Sequence, residues 1–278
     1  MNQKELYLWA KKELEKEQVQ EPSIKARRLM EFVLKQTRSQ MISNELEEVS
    51  LEKQKEYAMQ IEKIKKGMPI QYITHRQEFM GLEFYVDENV LIPQPDTEIV
   101  VETAIQLINN KLNFLYKTSI QIAEKFSNTK QKLKGKEMMQ NNELCILDLC
   151  TGSGCIGISI AKNLDANNID NANIVLSDIQ EKALKIAQKN AIQNKVQDKV
   201  KIIQSDLFET LPKNEFAIIV SNPPYIETNQ IARLSKEVQQ EPKIALDGGE
   251  DGLLFYRKIL EEAHFYLKTN GYLVLEIG

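Results

Sequence analysis

Four consecutive residues, Asn222, Pro223, Pro224 and Tyr225, combine groups that can hold a planar nitrogen group. Two prolines in a row remove backbone N–H donors and restrict φ, so the Asn222 side chain and the Pro223 carbonyl should project rigidly. Each of these oxygens can accept one N–H of an amide or amine, and the Tyr225 ring can pack against its flat face. The sequence predicts a substrate site at these four residues, with Asn222, Pro223 and Tyr225 as catalytic groups. The alternative is a proline-rich turn that merely follows a strand.

A glycine-rich stretch lies earlier in the chain and reads Asp148-Leu149-Cys150-Thr151-Gly152-Ser153-Gly154-Cys155-Ile156-Gly157. Its three glycines form G-x-G-x-x-G between a predicted strand and a predicted helix, which is the context of dinucleotide-binding turns. Asp178 follows the next predicted strand, where its carboxylate can accept hydrogen bonds from a ribose diol. NAD and S-adenosylmethionine both satisfy this pattern, and a turn without a ligand is a third interpretation.

The downstream residues favour S-adenosylmethionine over NAD. A dehydrogenase would give no role to residues 222–225, whereas a nitrogen methyltransferase would use them to present the nitrogen to the methyl donor. Such a transfer needs no strong base, because the nitrogen carries its own protons and can release one as the methyl group arrives.

The elements that must position these motifs alternate from Leu144 onward. Apolar runs suited to buried parallel strands occur at residues 146–149, 174–176, 200–203, 216–220 and 272–277. Helical patterns separate them at residues 156–164, 181–192 and 253–267. The pattern predicts a doubly wound α/β sheet, and ligands bind such sheets at the carboxyl ends of their strands.

Residues 1–74 are predicted to form a small helical bundle that serves either substrate recruitment or stability. Asn2 and Glu5 form a potential capping box, Pro22 suits a first helical turn, and a third helix should follow Ser50. Residues 75–92 contain β-formers around a glycine and predict a hairpin linker to a catalytic domain at residues 93–278.

Two further segments of the catalytic domain have distinctive sequences. Residues 92–98 contain two prolines, which predict an extended segment, and Asp96 can cap the helix that follows. Residues 109–143 carry seven lysines against three glutamates and are rich in Asn and Gln. They predict a solvated, partly disordered insertion, and a basic patch for RNA is the alternative interpretation.

The composition narrows the function classes. The chain has 278 residues, 42% of them hydrophobic, and a net charge of −4, which disfavours stable binding to duplex DNA. Three cysteines and two histidines are a weak ligand inventory, so we expect reduced thiols and no metal. The polar N-terminus and the short apolar runs predict a cytoplasmic protein without a membrane span, and leave its oligomeric state open.

These motifs together resemble those of class I S-adenosylmethionine-dependent methyltransferases. Within that class the chain is similar to the protein-glutamine methyltransferases of peptide release factors, the HemK family. The resemblance covers nearly the whole chain, with motifs at residues 67–73, 91–98, 148–157, 222–225 and 241–252. Asn-Pro-Pro-Tyr is shared with DNA adenine methyltransferases, whereas residues 93–98 and 241–252 are more particular to the release-factor enzymes.

The resemblance implies methylation of the side-chain amide of a glutamine in the Gly-Gly-Gln loop of a class I release factor. It places substrate contacts at residues 222–225 and S-adenosylmethionine contacts at Cys150, Thr151, Gly152, Ser153, Gly154, Asp178, Asp206, Leu207 and Asn222. Asp178 would bind the ribose, and Asp206 and Leu207 would lie on the adenine side.

Three positions depart from the family pattern. Gln94 stands where the family often has arginine, and residues 109–143 are longer than the usual connection. The chain ends at Gly278 just after the fifth predicted strand, so the helix and antiparallel strand pair that usually complete the family's sheet are expected to be missing.

Two alternatives to this function stay open. A DNA adenine methyltransferase would use the same Asn-Pro-Pro-Tyr site for an amine on a flipped base. A non-catalytic S-adenosylmethionine-binding protein is the second alternative.

Overall fold

The computed structural model describes residues 1–125, 144–167, 169 and 172–278, with the side chains of all but residues 112–125. The chain divides into two compact units. One comprises Met1–Arg76 and Ala232–Glu241, and the other comprises Gln77–Ile231 and Pro242–Gly278.

The first unit is a helical bundle. Its helices are α1 (Gln3–Lys16), α2 (Pro22–Leu34), α3 (Arg38–Ser43), α4 (Leu51–Lys65) and α5 (Ile70–Thr74). The Asn2–Glu5 capping box, Pro22 in the first turn of α2 and the Ser50 cap of α4 are all present. The two shortest helices, α3 and α5, have no counterpart in the sequence prediction. The apolar faces of α1, α2 and α4 share a core around Leu29 and Tyr57, whose hydroxyl donates to the Ala26 carbonyl at 2.8 Å.

A segment distant in sequence completes this unit. Ala232–Glu241 clusters with the helices, and within the unit the Lys25 ammonium pairs with the Glu237 carboxylate. Gly67, with φ +97°, lies against Lys236 so closely that a Cβ at residue 67 would come within 2.7 Å of the Lys236 Cβ. The bundle unit therefore holds ten residues that the sequence analysis places in the catalytic domain.

The second unit begins with the hairpin β1 (Gln77–Phe79) and β2 (Leu82–Phe84), as predicted. A 3-10 turn at Pro95–Thr97 leads into α6 (Glu98–Lys125). The prediction that Asp96 caps this helix is wrong, because Asp96 lies inside the 3-10 turn that precedes it. The first part of the predicted insertion, residues 109–125, continues α6, and residues 126–143 lie outside the described residues.

A five-stranded parallel sheet forms the centre of this unit. Its elements follow in the order β3 (Leu144–Leu149), α7 (Cys155–Ala166), β4 (Ala172–Asp178), α8 (Glu181–Gln193), β5 (Val200–Gln204), β6 (Phe216–Ser221), α9 (Lys243–Leu246), α10 (Leu254–Tyr266) and β7 (Leu267–Leu275). The spatial order is β5-β4-β3-β6-β7. Strand order reverses beside β3, so a crevice opens there at the carboxyl edge, where such sheets bind ligands.

The residues of β3 alternate between two apolar layers. Leu144 and Ile146 pack with α6 and α7, whereas Cys145, Leu147 and Leu149 pack with α10 on the opposite face. The strand is therefore buried on both sides, which explains why all of its residues except Asp148 are apolar. Across the described residues, no helix is both long and apolar enough to cross a membrane.

Gly157 lies in α7 where the helix packs on the sheet, and we expect Gly157→Ala to destabilise the protein. The added Cβ would collide with the Leu176 side chain and lie 3.0 Å from Asp148 Oδ2. Overpacking of this kind costs about 1–3 kcal/mol, more than the ~1 kcal/mol that alanine gains in helix propensity. Urea unfolding followed by circular dichroism measures the change.

Ser159, in the same helix, is the matched control. Its hydroxyl is buried without a hydrogen-bond partner among the described residues, so Ser159→Ala should raise the free energy of unfolding by about 1 kcal/mol. Equal stabilisation by both alanines would show that propensity, not packing, governs residue 157.

Candidate active site

The loop after β3 is a tight turn built on unusual backbone angles. Cys150, Gly152 and Gly154 have φ of 59°, 53° and 82°. The Thr151 N–H donates to the Ser177 carbonyl at 2.9 Å, and the Gly154 N–H donates to the Thr151 carbonyl at 2.8 Å. A Cβ at residue 152 would meet no atom within 4 Å, so the space in front of this residue is open to a ligand.

Asp148 fastens this loop to the sheet and to α7. Its Oδ2 accepts from Thr151 Oγ1 at 2.6 Å and from the Gly157 N–H at 2.9 Å. Its Oδ1 is buried without a partner in the described part of the chain. Burial raises the pKa of Asp148 to about 7, against the opposing effect of the two hydrogen bonds. Asp148 belongs to the glycine-rich motif in the sequence, but it is not among the predicted site residues.

Asp178 stands at the end of the neighbouring strand β4. Its Oδ2 accepts from the Gly152 N–H at 2.9 Å, and its Oδ1 accepts from the Gln180 N–H at 2.9 Å. Burial raises the pKa of Asp178, and the backbone N–H donors counteract that rise. The carboxylate is thereby fixed at the rim of the turn, with lone pairs left for a ligand hydroxyl.

Asn222 follows β6 on the other side of β3. Ser221 Oγ donates to the Leu149 carbonyl at 2.6 Å, which ties the ends of the two strands together. The Asn222 Nδ2 donates to Thr97 Oγ1 at 3.1 Å, and Thr97 is buried. The Asn222 Oδ1 has no hydrogen-bond partner within the described residues, so it is the atom left to accept from a substrate.

Tyr225, three residues after Asn222, is partly buried. Its hydroxyl lies 3.5 Å from Glu276 Oε1, and burial and the Glu276 charge raise the pKa of the phenol. The Tyr225 hydroxyl is therefore neutral at physiological pH and is available for packing and hydrogen bonding, not as a base.

A single cavity brings most of the predicted residues together. Those that line it are Cys150, Thr151, Gly152, Ser153, Asp178, Asp206, Leu207, Asn222 and Pro224. Three others are not among the lining residues: Gly154, which caps α7, Pro223, which is buried, and Tyr225.

The sequence analysis missed two walls of this cavity. One consists of Asn89, Val90, Leu91, Pro93, Gln94 and Thr97, and the other of Pro242, Ile244, Ala245, Phe255 and Lys258. Residues 91–98 and 241–252 did stand out as motifs, which was the available signal. The lining is completed by eight further residues from the strand ends and helix starts: Leu149, Cys155, Ile156, Ser177, Ile179, Gln180, Ala183 and Ser205.

The charges of the cavity suit a cationic ligand. The charged residues among its described lining are Asp178, Asp206 and Lys258, and the last two are exposed. An anionic pyrophosphate would be disfavoured beside two carboxylates, whereas a sulfonium or ammonium group would be attracted.

The cysteines do not provide a nucleophile here. Burial raises the pKa of the Cys150 thiol to about 12 and that of Cys155 to about 12, so both are neutral at physiological pH. Within the residues that the structure describes, no group of three or more His, Cys, Asp or Glu side chains is arranged to hold a metal ion.

Two family models match the chain. The PrmC N-terminal domain matches residues 5–74, and the Methyltransferase small domain matches residues 132–250. The first match coincides with the helices of the bundle unit, and the second includes both the β3 loop and residues 222–225.

Curated relatives match across both units. A release factor glutamine methyltransferase of Clostridium acetobutylicum is 39% identical over 90% of this chain and 76% of its own length. One of Borreliella burgdorferi is 36% identical over 91% of this chain and 76% of its own length. A bifunctional methyltransferase of Rickettsia felis is 36% identical over 97% of this chain, which spans 50% of that protein. The chain belongs to the family of release factor glutamine methyltransferases.

Proposed function

We propose that this protein transfers a methyl group from S-adenosylmethionine to the side-chain amide nitrogen of a glutamine in a class I peptide release factor. The observation that carries the proposal is the Asn222 amide, whose Nδ2 is engaged by Thr97 while its Oδ1 remains available at the cavity. The same cavity contains the glycine loop and Asp178, so it can hold a cofactor beside the amide. The names of the relatives supply the substrate class.

The residues fit S-adenosylmethionine, which supplies an electrophilic methyl group on a sulfonium when bound. The open backbone at Gly152 gives room for close approach, and the two cavity carboxylates favour its positive charge. Asp178 would accept from the ribose hydroxyls, and Asp206 and Leu207 would border the adenine. Cys150, Thr151, Ser153 and Gly154 would shape the turn around the methionine part, with Asn222 between cofactor and substrate.

Catalysis by this chain rests on orientation. An amide nitrogen is a poor nucleophile because its lone pair is delocalised into the carbonyl. Asn222 Oδ1 and the Pro223 carbonyl would each accept one N–H and hold the nitrogen in line with the methyl group, while Tyr225 packs against the amide plane. Positioning of this kind is worth several kcal/mol of the barrier. The nitrogen gains a methyl group and releases one proton to water, and no protein base is needed.

The remaining parts of the assignment follow from the substrate. Release factors act in translation, so we place the reaction in the cytoplasm. In this assignment residues 1–74 would recruit the substrate or stabilise the protein. Residues 75–92 would be the linker, and residues 93–278 would be the catalytic part.

Incubation with labelled S-adenosylmethionine and a purified class I release factor tests the proposal. Label should appear on the glutamine of the Gly-Gly-Gln loop and should be absent when that glutamine is replaced. No label from a demonstrably folded enzyme would overturn the proposal. Tight, strongly salt-dependent binding to duplex DNA with methylated adenine would instead indicate the DNA enzyme.

Asp178→Ala should weaken S-adenosylmethionine binding by about 1.5–3 kcal/mol, the range for hydrogen bonds to a charged group. The loss combines the ribose contacts with release of the Gly152 N–H. Isothermal titration calorimetry measures the affinity.

Asp165→Ala is the matched control, because Asp165 forms an exposed ion pair with Lys199 away from the cavity. It should leave the affinity unchanged. An unchanged affinity in Asp178→Ala would remove Asp178 from the cofactor site.

Asn222→Ala should lower kcat on the order of 10²–10³, by analogy with loss of one preorganised polar partner of a transition state. The interaction strengthens as charge develops on the nitrogen, so kcat falls more than KM rises. Cofactor affinity should fall much less, because the glycine loop and Asp178 remain.

Asn222→Asp is the finer variant, since it keeps an acceptor oxygen, adds charge and removes the donor to Thr97. Steady-state kinetics with the release factor measure both variants. Full turnover in Asn222→Ala would refute the role of this amide.

A further inference from the structure

The segment Asp247-Gly248-Gly249-Glu250-Asp251-Gly252, here called the clamp loop, belongs to a family motif that the mechanism leaves unused. Neither the clamp loop nor Thr228 is among the residues that line the cavity. The chain at residues 225–228 nevertheless packs directly against this loop. We propose that Asp247 is a positioning residue for the reaction, which holds Thr228 and so fixes Tyr225 and the amide-binding turn before it.

Backbone hydrogen bonds join the two segments in parallel. The Ile226 N–H donates to the Leu246 carbonyl at 2.9 Å, and the Gly248 N–H donates to the Ile226 carbonyl at 2.8 Å. The Thr228 N–H donates to the Gly249 carbonyl at 2.9 Å. Ile226 and Thr228, which follow the Asn-Pro-Pro-Tyr turn, are thus bonded to the partner segment as in a short parallel strand pair, with a bridge between Ile226 and Asp247.

Asp247 adds a side-chain bond at the end of this ladder. Its Oδ1 accepts from Thr228 Oγ1 at 2.5 Å and from the Gly249 N–H at 3.1 Å. Its Oδ2 lies 3.6 Å from the Lys243 ammonium. The Thr228 hydroxyl, the Gly249 N–H and the Lys243 charge lower the pKa of Asp247, so its carboxylate is charged at physiological pH. One carboxylate therefore bridges the clamp loop and the chain after Tyr225.

Two glycines let the clamp loop lie directly on the Tyr225 backbone. A Cβ at residue 248 would come within 2.7 Å of the Tyr225 Cα and 2.8 Å of its carbonyl carbon. A Cβ at residue 252 would collide with the Tyr225 carbonyl oxygen. Both glycines are buried, so the contact has no side chain that could give way.

These contacts reach the substrate site through a stiff connection. Pro223 and Pro224 have restricted φ, so the turn from Asn222 to Tyr225 has little freedom to absorb a shift at its far end. A movement at Thr228 is then passed to the Tyr225 ring and to the Asn222 amide. Misplacement of a positioned group by about 1 Å can lower the rate about 10²-fold.

Thr228→Val and Asp247→Ala should each lower kcat for glutamine methylation by about 10- to 100-fold. The affinity for S-adenosylmethionine should change less than about twofold, since neither residue lines the cavity. The two changes remove the same bond, so the double variant should be no slower than the slower single variant. This inference rests on the proposed function for its kinetic readout.

Conservative variants provide the rescue. Thr228→Ser keeps the hydroxyl donor, and Asp247→Asn keeps an acceptor oxygen, so each should retain most of the wild-type kcat. Gly248→Ala would displace the Tyr225 backbone by a steric clash. It should therefore lower kcat without removing a polar group. Asp251→Ala is the matched control from the same loop and should leave kcat unchanged, because Asp251 pairs with the exposed Arg257 of α10 and accepts from the Leu253 N–H instead of bonding the chain after Tyr225.

Amide hydrogen exchange of the peptide containing residues 222–230 gives a readout that does not require methylation. Exchange at Ile226 and at residue 228, whose N–H groups donate to the Leu246 and Gly249 carbonyls, should speed up in Asp247→Ala and Thr228→Val and return to the wild-type rate in the conservative variants. If exchange is faster in the variants but the wild-type enzyme does not methylate the release factor, the proposed function is wrong and the positioning role of Asp247 stands. If both variants show the wild-type exchange rate and the wild-type kcat, the positioning role of Asp247 is refuted. A parallel loss of kcat, cofactor affinity and thermal stability would refute it as well, because it would indicate a general structural role.

Discussion

The Asp148 carboxylate is the interaction on which the site depends. It joins three pieces of backbone, because it stands at the end of β3, accepts from Thr151 in the loop and accepts from Gly157 in α7. Burying a carboxylate is unfavourable, and the raised pKa of Asp148, about 7, expresses that cost. Gly157 is part of the same constraint, since any larger residue would push the helix off the carboxylate. The position of β3 therefore determines the positions of the loop after it and of α7.

The two halves of the site are set by the same strand end. Leu149 pairs with Ser177 on one side and Ser221 on the other, so Asp178 and Asn222 stand at the ends of the two strands that flank β3. The Ser221 hydroxyl bonds the Leu149 carbonyl and keeps that alignment. Thr97, from the turn before α6, then fixes the orientation of the Asn222 amide. The loop after β3 and the Asn222 amide are thus placed by one sheet register, which suits the proposed reaction because that reaction depends on alignment.

Local patterns in the sequence were enough to predict most of the fold. The apolar runs of β3, β4 and β6 and the caps at Asn2 and Ser50 depend on near neighbours, and the structure has them where expected. The last strand begins at Leu267, whereas the prediction began at residue 272. The first half of the strand was missed because residues 268–270 are polar and do not form an apolar run. The helices α3 and α5 have six and five residues, too few for a helical period to be evident.

The contacts of the site were harder to predict, because they join residues far apart in the chain. Thr97 meets Asn222 across 125 positions, and Thr228 meets Asp247 across 19. Neither residue type is distinctive alone, so only the fold reveals these pairs. The motifs at residues 93–98 and 241–252 did indicate segments that contribute to the cavity, but the sequence did not show which contacts their residues make.

The choice of an amide at residue 222 also has a physical reason under the proposed mechanism. A carboxylate there could accept from the substrate nitrogen, but beside a sulfonium it would be drawn to the cation by charge attraction. It would also add a third negative charge to a cavity that already has Asp178 and Asp206. The neutral Asn222 oxygen is a weaker partner for the cation and stays free for the substrate N–H. The Asn222 nitrogen donates to Thr97, so the amide is held through a group other than the oxygen that would accept from the substrate.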